Sequence, residues 1–76
     1  MSISVRFFAS VRERVGKGET ELETGNSLSV NEVWAQTVGG ERPPQLLVAV
    51  NQEYVDWDCQ AADGDEVAFF PPVTGG

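Results

Sequence analysis

A chain of 76 residues, 41% of them hydrophobic, carries enough apolar material for one core and no second domain. Its 5 basic against 12 acidic residues leave a formal net charge of -7, which repels nucleic-acid phosphates and anionic lipid head groups and favours a partner with a basic docking surface. The lack of histidine and the solitary Cys59 exclude an intrachain disulfide, a Cys-His nucleophile and a histidine metal site, which leaves Cys59 as a small buried hydrophobe.

No apolar run approaches the ~20 residues that span a bilayer. The start "MSISVRFF" lacks a basic region followed by an apolar stretch and a cleavage site. A cytoplasmic protein with no membrane and no nucleic-acid partner is the expectation. A domain this small buries only about 60% of the surface its unfolded chain exposes, so stability should be modest.

In chain order, Ile3, Val5 and Phe7 alternate with Ser4 and Arg6, the period of a half-buried strand. "ASVRERVGKGE" predicts a short helical turn over Ala9 to Val15, stopped by Gly16 and Gly18, and a second strand follows near Thr20 to Thr24. Ser29 and Glu32 form a capping box with Leu28 and Val33 as its hydrophobic staple, so a helix should begin at Ser29. Its apolar face comprises Val30, Val33, Trp34, Thr37 and Val38, with Trp34 read as core, and Gly39-Gly40 ahead of Pro43-Pro44 ends it.

"QLLVAVN" then predicts a buried strand over Leu46 to Val50, and "NQEYV" a turn into a short strand around Tyr54 and Val55. Asp63-Gly64 turns the chain into a last strand, Glu66 to Phe70. Two strands, a helix and two or three more strands make an α+β domain in which one main helix covers one face of a sheet.

Little in this chain resembles a catalytic or metal site. After Asp56 and Asp58 a calcium loop would need Asp or Asn at Gln60, Gly at Ala61 and Glu at Val67, and all three positions fail. "GKGET" lacks the spacing of a phosphate loop. Glu13, Glu19, Glu21 and Glu23 read as solvent-facing charges.

The end, "FFPPVTGG", is different. Pro71-Pro72 removes two backbone donors and holds the chain extended as it leaves the last strand, so the sheet cannot simply continue. Residues 1–70 then form the domain and 71–76 a flexible tail ending in Gly-Gly. Val73 and Thr74 extend a contact strip, and Gly75 and Gly76 let a slender backbone enter a narrow channel. A carboxylate is a poor electrophile until its oxygen becomes a leaving group. ATP can achieve that by forming an acyl-adenylate, and without a nucleotide motif in the chain the activation must come from a separate enzyme. Gly76 could then accept sulfur as a thiocarboxylate or be joined to an amine.

Strand parity adds a second candidate surface. If Phe7 and Phe69 face the helix, Phe8 and Phe70 turn to the other face, with Tyr54 beside them, as a docking patch for a partner.

"FFASVRE", "AVNQEYV" and "DGDEVAFFPPVTGG" together resemble the small-subunit family of molybdopterin synthase, in order and over nearly the whole chain. The connection "GGERPP" is shorter than the segment many relatives carry. The resemblance implies a ubiquitin-like β-grasp fold, a mixed sheet of about four to five strands with the first and last side by side and parallel. It implies that Gly76 is adenylated by an E1-like activating enzyme that uses ATP, with no cofactor bound to the carrier itself. A sulfur-donating protein then supplies the thiocarboxylate. The large subunit of molybdopterin synthase receives the tail, and sulfur passes to cyclic pyranopterin monophosphate to form the dithiolene of molybdopterin. The chain would thus be a sulfur-donating, non-catalytic subunit of a heterotetramer with the large subunits at its centre. A protein modifier joined through Gly76 to target lysines, a thiamin-type sulfur carrier and a plain binding module are the alternatives.

Overall fold

The computed structural model describes residues 2–72. The elements run β1 (Ser2–Phe7), α1 (Ala9–Val15), β2 (Glu19–Glu23), β3 (Leu28–Ser29), α2 (Val30–Thr37), β4 (Leu47–Val50), β5 (Glu53–Tyr54), β6 (Gln60–Ala61) and β7 (Glu66–Phe70). Five of the strands form one sheet in the order β2-β1-β7-β4-β5, and β3 pairs with β6 in a two-stranded ribbon.

β1 and β7 are parallel neighbours, with Val5 opposite Val67 and Phe7 opposite Phe69. The other pairings in the sheet are antiparallel. Alternation in β1 and β7 puts Ile3, Val5, Phe7, Val67 and Phe69 on one face, all of them buried. The buried positions Val30, Val33 and Trp34 of α2 pack against this layer. The rings of Phe7, Trp57 and Trp34 surround Phe69 at centroid distances of 6.0, 5.6 and 5.1 Å. This is the mixed-sheet, helix-covered α+β architecture that the order of elements requires.

Local chemistry sets the boundaries. Ser29 is the N-cap rather than the first helical residue: its hydroxyl accepts from the Glu32 N–H, and the Glu32 carboxylate accepts from the Ser29 N–H. At the other end Gly39 adopts a φ of 78° and its N–H donates to the Trp34 carbonyl, a left-handed position that disfavours a Cβ. The Trp34 indole N–H donates to the Gly40 carbonyl, so the buried tryptophan leaves no polar atom unpaired.

The second strand covers Glu19–Glu23 rather than Thr20 to Thr24. Glu19 is held opposite Arg6, whereas the Thr24 hydroxyl is engaged in a local turn with Asn26. Leu46 precedes β4 instead of starting it, because its N–H closes a turn onto the Pro43 carbonyl. Val55 falls just outside β5, although its N–H still reaches the Val48 carbonyl. Thr37 and Val38 are only partly buried at the end of α2, and Cys59 is half-buried at the edge of the core rather than inside it. The β3–β6 ribbon has no counterpart in the sequence reading, since two residues per strand give no periodicity to detect.

Candidate functional site

Burying one side of β1 and β7 fixes what the other side shows. Arg6, Ala68 and Phe70 face away from α2, and the antiparallel register with β4 brings Leu47 opposite Phe70 and Ala49 opposite Ala68. Ala49 in turn pairs with Tyr54 of β5. Tyr54 is 72% exposed, and its ring lies 5.6 Å from that of half-buried Phe70.

Phe8, 45% exposed, completes the group from the end of β1. Its N–H donates to the Phe69 carbonyl at 3.2 Å, continuing the β1–β7 ladder by one residue. Its own carbonyl accepts from the Val11 and Arg12 N–H groups and so caps α1. Ala9 follows with a φ of 53°, a corner that costs a residue bearing a Cβ about 1–2 kcal/mol. Asn51 and Gln52 both adopt positive φ in the tight turn between β4 and β5, as a primed hairpin turn requires. These pieces surround an open hollow of about 730 Å³, floored by Ala49 and Ala68 and rimmed by Arg6, Phe8, Gln52, Tyr54 and Phe70.

The same face has an acidic half. Glu19, Glu21 and Glu23 on the edge strand β2 project from it, all exposed. Arg6 stands at the border, 3.2 Å from the Glu66 carboxylate and 4.0 Å from that of Glu19. Such partly exposed pairs contribute about 0–1 kcal/mol, so their role here is orientation of the Arg6 side chain rather than stability. Beneath the β4–β5 turn, Asp65 accepts hydrogen bonds from the Ala62 N–H and the Asn51 side-chain amide, which hold its carboxyl below the usual carboxylate range.

Pro71 and Pro72 follow directly on β7 and are partly buried. They line the hollow on one side and a narrower groove of about 360 Å³, between α1 and the Pro43-Pro44 connection, on the other. β7 is the middle strand of the sheet, hydrogen-bonded along both edges, and therefore a rigid base for whatever follows it. The candidate tail positions Val73, Thr74, Gly75 and Gly76 lie outside the described residues.

The structure thus brings Phe8, Tyr54, Phe70, Pro71 and Pro72 around one hollow. Sequence reasoning missed Ala49, Ala68, Arg6 and Gln52 as lining residues. Parity applied to "LLVAV" would have found the first: if Val48 and Val50 face inward, Ala49 faces outward. The contribution of Gln52 depends on the turn geometry, and no period announces it.

A sulfur carrier subunit of molybdopterin synthase from Escherichia coli strain K12 is 43% identical over 83 residues, covering 97% of this chain and 99% of that protein. Among solved structures, small archaeal modifier protein 1 from Haloferax volcanii superposes with a TM-score of 0.81 at 25% identity, covering 95% and 98% of the two chains. A complex of subunits 1 and 2 of the molybdopterin-converting factor from Helicobacter pylori contains a chain that matches with a TM-score of 0.67 at 25% identity, with 100% of both chains covered. The ThiS family model matches residues 5–76, and with the relatives above it settles the grouping: this chain is a member of the ThiS family, built on the ubiquitin-like β-grasp.

Proposed function

We propose that this chain is the sulfur carrier subunit of molybdopterin synthase. The observation that carries the reading is the near-complete match to a molybdopterin synthase sulfur carrier subunit over 97% of the chain. The geometry supports it: a rigid central strand leads into a Pro-Pro exit beside an apolar hollow, which suits a domain that docks by its sheet face and passes its tail into a partner.

In this mechanism residues 71–76 are the tail and Gly76 its reactive end. The Gly76 carboxylate attacks the α-phosphorus of ATP on an E1-like enzyme and displaces pyrophosphate. Sulfur delivered by a donor protein then displaces AMP: as hydrosulfide it leaves a thiocarboxylate on Gly76 directly, and as a protein persulfide it leaves an acyl disulfide that a thiol cleaves to the thiocarboxylate, forming a disulfide with the donor. The large subunit of the synthase receives the tail, with Phe8, Tyr54 and Phe70 against its surface and Pro71, Pro72, Val73, Thr74 and Gly75 along its channel. The thiocarboxylate sulfur passes to cyclic pyranopterin monophosphate there, so this chain acts as a cosubstrate. Each dithiolene contains two sulfur atoms and therefore consumes two charged carriers.

The test is intact-mass analysis of the protein from its native cells, followed by reconstitution with the large subunit. Replacement of one oxygen by sulfur at Gly76, and loss of molybdopterin formation when Gly76 is deleted, are expected. An unchanged yield from the deleted chain would refute the terminal-carboxylate mechanism. The likeness to a small archaeal modifier protein favours one second reading, an amide between Gly76 and a lysine of a target protein. Lysine conjugates without any thiocarboxylate in the same mass analysis would establish that reading instead.

A further inference from the structure

The hollow on the sheet face is one of two grooves that meet at the tail root. The other lies on the far side of Pro71-Pro72, bounded by Val11 of α1, Trp34 of α2, Pro43-Pro44 and Leu46. It is apolar in its depth, and the exposed residues Ser10 and Arg14 stand at its mouth. The Arg14 guanidinium donates only a long 3.5 Å hydrogen bond, to the Glu41 carbonyl.

Charge is distributed unevenly around it. Although the chain carries a net charge of -7, four of its five cations, Arg6, Arg12, Arg14 and Lys17, fall within one short stretch of sequence that forms the end of β1, α1 and the turn after it. Among the described residues only Arg6 of these four is held in an ion pair. Arg14 lines this groove and Arg6 the hollow, so a cation stands on each side of Pro71-Pro72 although the net charge by itself suggests a basic partner. Arg14, outside any ion pair among the described residues, is the cation that a carboxylate of a protein gripping the tail root would meet there.

We propose that this groove is a second docking site for the large subunit of the synthase, filled by an apolar side chain of that partner with an adjacent carboxylate paired to Arg14. The inference rests on the sulfur-carrier reading and deepens it. Continuity through Pro71-Pro72 makes the two grooves one surface around the root of the tail, within reach of one partner that accepts the tail. Two contacts on opposite sides of the same strand exit fix the direction in which the tail departs, which one patch on the sheet face leaves free to pivot.

The experiment is titration calorimetry of the full-length chain against the large subunit at two salt concentrations. Three variants are compared with the wild type after thermal melts confirm folding. Ser10→Trp fills the groove from its exposed mouth, Arg14→Glu reverses the charge there, and Phe70→Ala reports on the sheet face. Ser10→Trp and Arg14→Glu are each expected to weaken binding by tenfold or more, and added salt should weaken the wild type more than Arg14→Glu. Should Ser10→Trp fail to fold, Arg14→Glu and its salt dependence decide the matter alone. Binding within twofold of wild type for Arg14→Glu and for folded Ser10→Trp, with Phe70→Ala impaired, would overturn the groove proposal and leave the function standing. No binding of the large subunit by any form, wild type included, would overturn the function and the groove together.

Discussion

Two adjacent phenylalanines should respond to the same truncation in opposite ways. Phe69 is 0% exposed, enclosed by the rings of Phe7, Trp34 and Trp57, and removing its ring leaves a cavity that these rigid neighbours cannot close. Phe69→Ala should cost about 3–5 kcal/mol of stability. A domain of this length has roughly 4–11 kcal/mol in total, so the variant should melt about 12–40 °C lower or fail to fold. Phe70 is half-buried and touches chiefly the exposed Tyr54 ring. Phe70→Ala should cost about 1 kcal/mol of stability while weakening binding to the large subunit by about 1–3 kcal/mol. Thermal melts and titration calorimetry on both variants measure the two quantities separately. A folded, weakly binding Phe69→Ala beside an unfolded Phe70→Ala would refute the parity argument, because it would place the wrong ring against α2.

Deleting Val73 and Thr74 together should leave the melting temperature unchanged and docking largely intact while stopping sulfur delivery in a reconstituted assay, since reach fails before recognition; equal molybdopterin yield would count against a deep channel in the partner. Gln52→Gly should stabilise the domain by about 0.5 kcal/mol, because relief of the φ of 70° outweighs the greater freedom glycine has in the unfolded chain, and a lower denaturant midpoint would contradict that balance. Asp65 has a lowered pKa in the folded state, caused first by the Ala62 N–H and then by the Asn51 amide. Its contribution is present in full above the usual carboxylate pKa and is lost as pH falls through the lowered one. Asp65→Asn should therefore flatten the acid limb of stability in that window, and acid titrations of the two proteins that superpose would disprove the assignment.

The strand periods, the capping box and the glycine and proline stops were legible in the sequence because each depends on residues a few positions apart. Ser29 meets Glu32 within one helical turn, and Val5 and Phe7 share a face whatever lies elsewhere in the chain. The grouping of Phe8, Tyr54 and Phe70 was half legible: parity says which side each residue of a strand takes, but not that β4 and β5 lie next to β7 and bring Tyr54 to Phe70. That neighbourhood belongs to the sheet order β2-β1-β7-β4-β5, in which the last long strand inserts between the first and the fourth. The β3–β6 ribbon, the groove behind Pro71-Pro72 and the placing of Arg6 and Arg14 on either side of the tail root were decided by tertiary structure alone. Each joins segments tens of residues apart, and their adjacency is set by how one apolar layer closes over another rather than by any local pattern.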